Sequence, residues 1–138
     1  MSDPAAQAPA PQTPYDRIGG EPAIRRLVER FYDLMEATPQ GQAARAIHAP
    51  DLAPSREKLF MYFSGWLGGP PLFTDRYGHP MLRRRHLHAP IATPEIESWI
   101  ACFRQAWNET VNDPPLTAVL LPQIENLAHH MRTRDDPK

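Results

Sequence analysis

Apolar residues recur along this chain at helical intervals, in four stretches separated by proline and glycine. Ile24, Leu27, Val28, Phe31 and Met35 share one face, because steps of three and four residues return a side chain to the same side of a helix. Tyr32, four residues after Val28, points toward the same interior. Leu59, Tyr62, Phe63, Trp66 and Leu67 make a second face, with Ser55 one turn ahead of Leu59. A third, Ile96, Trp99, Ile100, Phe103, Trp107 and Val111, follows Thr93-Pro94-Glu95, which reads as a hydroxyl cap, a first-turn proline and a first-turn acid. The fourth carries Leu116, Val119, Leu120, Ile124, Leu127, Ala128 and Met131 inward, and Pro122 inside it predicts a kink or a split.

The breaks are equally legible. Tyr15-Asp16-Arg17-Ile18-Gly19-Gly20 predicts a single helical turn stopped by paired glycines, with a new helix starting at Glu21-Pro22. Pro39-Gln40-Gly41 ends the first long helix, and residues 43–47 are expected to form a short helical connection. Gly68-Gly69-Pro70-Pro71 ends the second, residues 72–78 read as a loop, and Pro80 is expected to open one or two helical turns. No stretch alternates apolar and polar residues, and no Asn-Gly hairpin signal occurs. The predicted fold class is all-α, in one domain over residues 15–132. Residues 1–14, mostly Ala, Pro and Gln, are expected to be a disordered tail, and 133–138 a flexible C-terminus.

Charge changes the picture by exclusion. Fifteen Lys and Arg against sixteen Asp and Glu give a net charge of -1, which argues against nucleic-acid binding through net charge. No apolar run approaches the roughly 20 residues that cross a bilayer, and no basic leader precedes an apolar core, so no membrane association and a cytoplasmic location are expected. The single cysteine, Cys102, excludes an internal disulfide and any CxxC motif. A metal site must therefore use histidine or carboxylate.

The candidate chemistry gathers in His79-Pro80-Met81-Leu82-Arg83-Arg84-Arg85-His86-Leu87-His88-Ala89-Pro90. On a helix only His79 and His86, seven apart, share a face, so three histidines do not converge on one ion and a closed zinc site lacks support. His86 lies four residues after Leu82, on the apolar side, as either a metal ligand or a satisfied core histidine. Haem needs an axial nitrogen, cations at its propionate edge and a wide apolar slot, and His86, the pair Arg85 and Lys58, and the four apolar faces supply those types. Arg83 and Arg84 read as solvated surface, with a phosphate-binding patch as the other possibility. Tyr32, His48 and Trp99 are polar groups set among apolar ones, each needing a partner in a backbone carbonyl or a ligand. No GxGxxG, P-loop, GxSxG or HExxH motif occurs.

Taken together, Tyr15-Asp16-Arg17-Ile18-Gly19-Gly20, Arg30-Phe31-Tyr32, Trp66-Leu67-Gly68-Gly69-Pro70, the run from Tyr77-Gly78-His79 to His86, and Trp99 resemble the group II truncated haemoglobins of bacteria. The resemblance implies a truncated globin, a two-over-two helical sandwich around haem b. It places the proximal iron ligand on His86, with His88 as a rival at a different offset from Trp99. Tyr32 matches the distal tyrosine, Ser55 and Leu59 the distal positions of the next long helix, with Tyr62 and Phe63 deeper on that face. His48 falls at the corner between them. Leu82, Arg85 and Lys58 would contact the cofactor, and His79 would cap the turn at Pro80.

The implied ligands are O2, NO, CO or peroxide, with an unidentified reductase, no nucleic acid, no membrane, and a monomer or homodimer. The implied function is tight O2 retention through phenol, imidazole and indole donors, with small Ser55 leaving an opening. Two alternatives stand beside it: a haem-dependent redox enzyme, peroxidase-like or detoxifying NO, and a helical interaction module without haem.

Overall fold

The structure is a computed structural model that describes residues 12–136, so residues 1–11 of the tail expected over 1–14, and residues 137–138, lie outside the described residues. Eight α-helices follow in order among them: α1 (Pro14–Ile18), α2 (Gly20–Ala37), α3 (Gln42–Ala46), α4 (Ala53–Trp66), α5 (Leu72–Tyr77), α6 (Leu82–His86), α7 (Thr93–Thr110) and α8 (Pro114–His130). A 3-10 turn, Pro39–Gly41, joins α2 to α3. No strand occurs among the described residues. Long helices α2 and α4 pack together, α2 packs on α7, and α7 pairs with α8, which is the two-on-two arrangement.

Local chemistry explains the boundaries. Thr13 and Asp16 form a capping box on α1, the Asp16 amide donating to the Thr13 hydroxyl at 3.1 Å. Gly19 then turns the chain at φ 114°, a conformation that costs a side-chain-bearing residue far more. Asp113 caps α8 by accepting from the Leu116 amide at 3.1 Å. Arg56, near the start of α4, donates to the carbonyl and carboxylate of Glu29 and to Asp33 on α2, clamping the two helices.

The core is aromatic. Trp99 lies flat on Phe103 at 4.9 Å and 3°, and Phe31 meets both rings edge-on at 4.9 and 5.4 Å. Trp107 is fully buried, and its indole donates to the Thr117 hydroxyl at 2.8 Å, joining α7 to α8.

Several expectations need correction. Residues 72–77 are helical, not a loop: Phe73 is buried and Tyr77 packs on it one turn later, at 4.9 Å, a contact that the flanking breakers concealed. Helix α6 starts after Met81, which holds φ 45°, rather than at Pro80. His79 does not cap it; the His79 carbonyl accepts from Arg85 instead. Of the kink or split expected at Pro122, the split does not occur: α8 runs on past it, with buried Leu120 and Ile124 on both sides of the missing N–H. Val119 is 58% exposed, since the buried line of α8 steps by four through Leu116, Leu120, Ile124 and Ala128.

Helix α4 is buried on two flanks. Phe60 and Met61 join Phe63 inside, whereas Leu59, Tyr62 and Trp66 are only partly covered. Thr93 is the first helical residue and not the cap; the Glu95 carboxylate accepts from the Ala92 amide at 2.9 Å in that role. Residues 133–136, part of the end expected to be flexible over 133–138, hydrogen-bond to residues 89–93, up to the first residue of α7.

Gly41 marks the tightest packing point of the α2–α3 corner. A Cβ there would stand 2.5 Å from the Met35 Cα and carbonyl oxygen, backbone that has no room to move. Gly41→Ala is therefore expected to cost about 1–3 kcal/mol by overpacking, read from the urea unfolding midpoint, while the solvent-facing Arg26→Ala shifts it by less than about 0.5 kcal/mol.

Candidate functional site

The helices leave one large cavity, about 560 Å³, within the range of cofactor pockets. All eleven residues expected from the sequence to contact the cofactor or its metal line it. Tyr32 enters from α2 and His48 from the turn after α3. Ser55, Lys58, Leu59, Tyr62 and Phe63 come from α4, Leu82, Arg85 and His86 from α6, and Trp99 from α7. The sequence reading missed Ile47, Phe73, Ala89, Ile91, Leu127 and Met131, which complete the apolar wall. Leu127 and Met131 were legible as inward positions of the last helix, but nothing in the pattern said which cavity they faced. His88 also lines the cavity.

Two imidazoles there are held in the same way. His86 Nδ1 lies 2.6 Å from the Leu82 carbonyl, and His48 Nδ1 lies 2.7 Å from the Ala44 carbonyl, each one helical turn back. A carbonyl only accepts, so in both rings Nδ1 carries the proton and the neutral ring keeps a lone pair on Nε2. That is the tautomer a metal ligand requires, with its other nitrogen oriented by a backbone acceptor. Among the described residues His88 has no such bond.

His48 cannot serve as the hydrogen-bond donor expected of it while it is neutral. Burial pushes its pKa below the ordinary 6.5, the Ala44 bond opposes this, and Arg45 and His86 lower it further. At neutral pH its cavity-side nitrogen is an acceptor. The Tyr32 phenol is pushed far above its usual pKa by burial, only partly offset by Arg56, and so stays protonated as a donor. Among the described residues, neither the Tyr32 hydroxyl nor the Trp99 indole N–H has a hydrogen-bond partner, yet no buried polar side-chain atom is left unsatisfied. Both donors therefore open onto the cavity.

The cations behave differently from one another. Lys58 has no carboxylate partner among the described residues and sits 5.6 Å from the Tyr77 ring centre. Arg85 donates to the carbonyls of Pro80 at 2.6 Å, Tyr77 at 3.2 Å and His79 at 3.4 Å, leaving only its second terminal nitrogen for a ligand.

No group of three or more metal-binding side chains occurs among the described residues. Imidazoles that do not group with other metal-binding side chains, in an apolar cavity with cations at its edge, do not hold a bare ion. They fit a metal that arrives in its own macrocycle, as iron does in haem.

The comparisons agree with this geometry. The family model for bacterial-like globins matches residues 13–133. The group 2 truncated haemoglobin YjbI of Bacillus subtilis is 34% identical over 118 residues, 86% of each chain. The group II 2-on-2 haemoglobin of Agrobacterium tumefaciens superposes with a TM-score of 0.90 at 42% identity, covering 94% of this chain and all of that one. The group II truncated haemoglobin of Bacillus anthracis superposes at 0.85 with 33% identity, over 94% and 98%. The chain belongs to the bacterial-like globin family, among its truncated, group II members. Membership implies haem binding and small gaseous ligands such as O2.

The His48 geometry sets a pH dependence. A histidine whose folded pKa lies below its unfolded value adds stability that is fully present above the unfolded value and is lost as pH falls through the folded one. Between about pH 7.5 and about pH 5 the wild type should lose more unfolding stability than His48→Gln, read from urea midpoints; equal losses would refute the buried neutral imidazole.

Proposed function

We propose that the cavity holds haem b on His86 and retains O2 tightly through donors supplied by Tyr32 and Trp99. The observation that carries this is the pairing, in one cavity, of an imidazole whose bare Nε2 is pre-oriented with two unpartnered donors, a phenol and an indole N–H. When bound, haem supplies an iron that takes one diatomic ligand reversibly.

The chain's residues then divide the work. His86 would hold the metal, and its Leu82 bond keeps the proton on the far nitrogen and raises the ring's basicity. Tyr32 and Trp99 would donate to a small ligand taken up in the cavity; in a low-dielectric cavity such bonds are stronger than in water. His48, as an acceptor, suits a proton-bearing ligand such as a peroxide. Leu59, Tyr62, Phe63 and Leu82 exclude water. Lys58 and the free nitrogen of Arg85 pair with propionates. Ser55 keeps the α4 side open to small ligands, NO and CO included.

A related haemoglobin from Bacillus subtilis, 33% identical with a TM-score of 0.79, is described as oxygen-avid, in keeping with strong retention here. The same donors favour a second reading, turnover of peroxide or NO, because a donor that holds a bound oxygen also polarises it. That reading needs a separate reductase. Arg83 and Arg84, exposed beside exposed Met81 and Leu87, suit an acidic one.

Two measurements test the proposal. The purified protein should show a Soret band that is lost in His86→Ala and kept in His88→Ala; the reverse pattern would move the ligand to His88. Tyr32→Phe and Trp99→Phe should each speed O2 dissociation by about tenfold, the equivalent of one net hydrogen bond of about 1.4 kcal/mol. Unchanged stopped-flow rates in both variants would remove the donors from the mechanism.

A further inference from the structure

Helix α6 does not hold itself in place. It has five residues, starts from a left-handed Met81, and buries none of its side chains. Whatever fixes His86 must act from outside. On the N-terminal side Arg85 gathers the carbonyls of residues 77, 79 and 80. On the C-terminal side the contacts come from the far end of the chain.

The segment 133–136 runs alongside residues 87–93 and bonds to it repeatedly. The amides of Thr133 and Arg134 both donate to the Ile91 carbonyl, at 2.9 and 3.0 Å. The Ile91 amide donates to the Thr133 hydroxyl at 2.9 Å, and that hydroxyl donates onward to the Ala89 carbonyl. The Asp136 carboxylate accepts from the Thr93 amide at 2.9 Å and from its hydroxyl at 2.6 Å. The Ala89 amide in turn donates to the His86 carbonyl at 2.9 Å. Pro90 offers no N–H, so Ala89 and Ile91 are the points by which this turn can be held. Both are buried, at 7% and 6% exposure.

We propose that residues 133–136 are a strap that sets the position of His86, with Thr133 as the positioning residue. Its hydroxyl accepts from one side of the turn and donates to the other, so it fixes the spacing between Ala89 and Ile91. It reaches His86 through a single further backbone bond. Loss of the hydroxyl leaves a buried N–H and a buried carbonyl without partners, and the turn must move to find water. The inference rests on the haem reading, since a held His86 matters only if it holds a metal.

The test uses the haem-loaded full-length protein as wild type, Thr133→Val and Thr133→Ser. The readouts are the iron–histidine stretching band in the ferrous protein and the rate of haemin transfer to an excess of apomyoglobin. Thr133→Val should shift or broaden the band and speed haemin loss at least about tenfold, the lower end of the effect of removing a group that orients a metal ligand. Thr133→Ser, which keeps the hydroxyl, should restore both. If Thr133→Val does not fold, Asp136→Asn gives the same two readouts, with a smaller shift in the same direction. Band and haemin loss unchanged in the valine variant, or no rescue by serine, would overturn the strap while leaving the haem reading intact. A wild type without a Soret band would overturn both.

Discussion

The face-to-face contact of Trp99 on Phe103, with Phe31 set edge-on against both, is the packing on which the rest of the molecule depends. It joins α2 to α7, and of its three rings Trp99 lines the cavity. Tyr32 extends from that cluster, 4.8 Å from Phe31, and its hydroxyl is carried to the cavity by packing alone.

The polar chemistry of the site follows from backbone acceptors. Leu82 and Ala44 each bind the Nδ1 of the histidine one turn later, and this repeated arrangement fixes the tautomers of His86 and His48. The consequence differs by environment. The exposed ring of His86 is free to serve as a ligand, while burial keeps His48 neutral and makes it an acceptor beside the Tyr32 donor. The three groups read from residue types as donors, Tyr32, His48 and Trp99, are thus two donors and one acceptor.

Much of this was legible in the chain. The four apolar faces became α2, α4, α7 and α8, and the eleven residues chosen for the site line one cavity. What was not legible has specific causes. Helix α5 depends on the Phe73–Tyr77 contact and a place against α4, which short-range breaker signals override on paper. Arg85 was expected to face a ligand, but carbonyls brought close by the turn at residues 77–80 occupy most of its donors.

The sequence by itself determined the helical class, the core faces and the residue types available to hold a porphyrin-bound metal, because those depend on spacing and side-chain chemistry within a few turns. The tertiary structure alone decided that Pro122 is carried through α8 and that residues 133–136 return to brace the turn after His86. Those outcomes depend on contacts between groups more than forty residues apart or on burial of a whole face, and no local pattern encodes either.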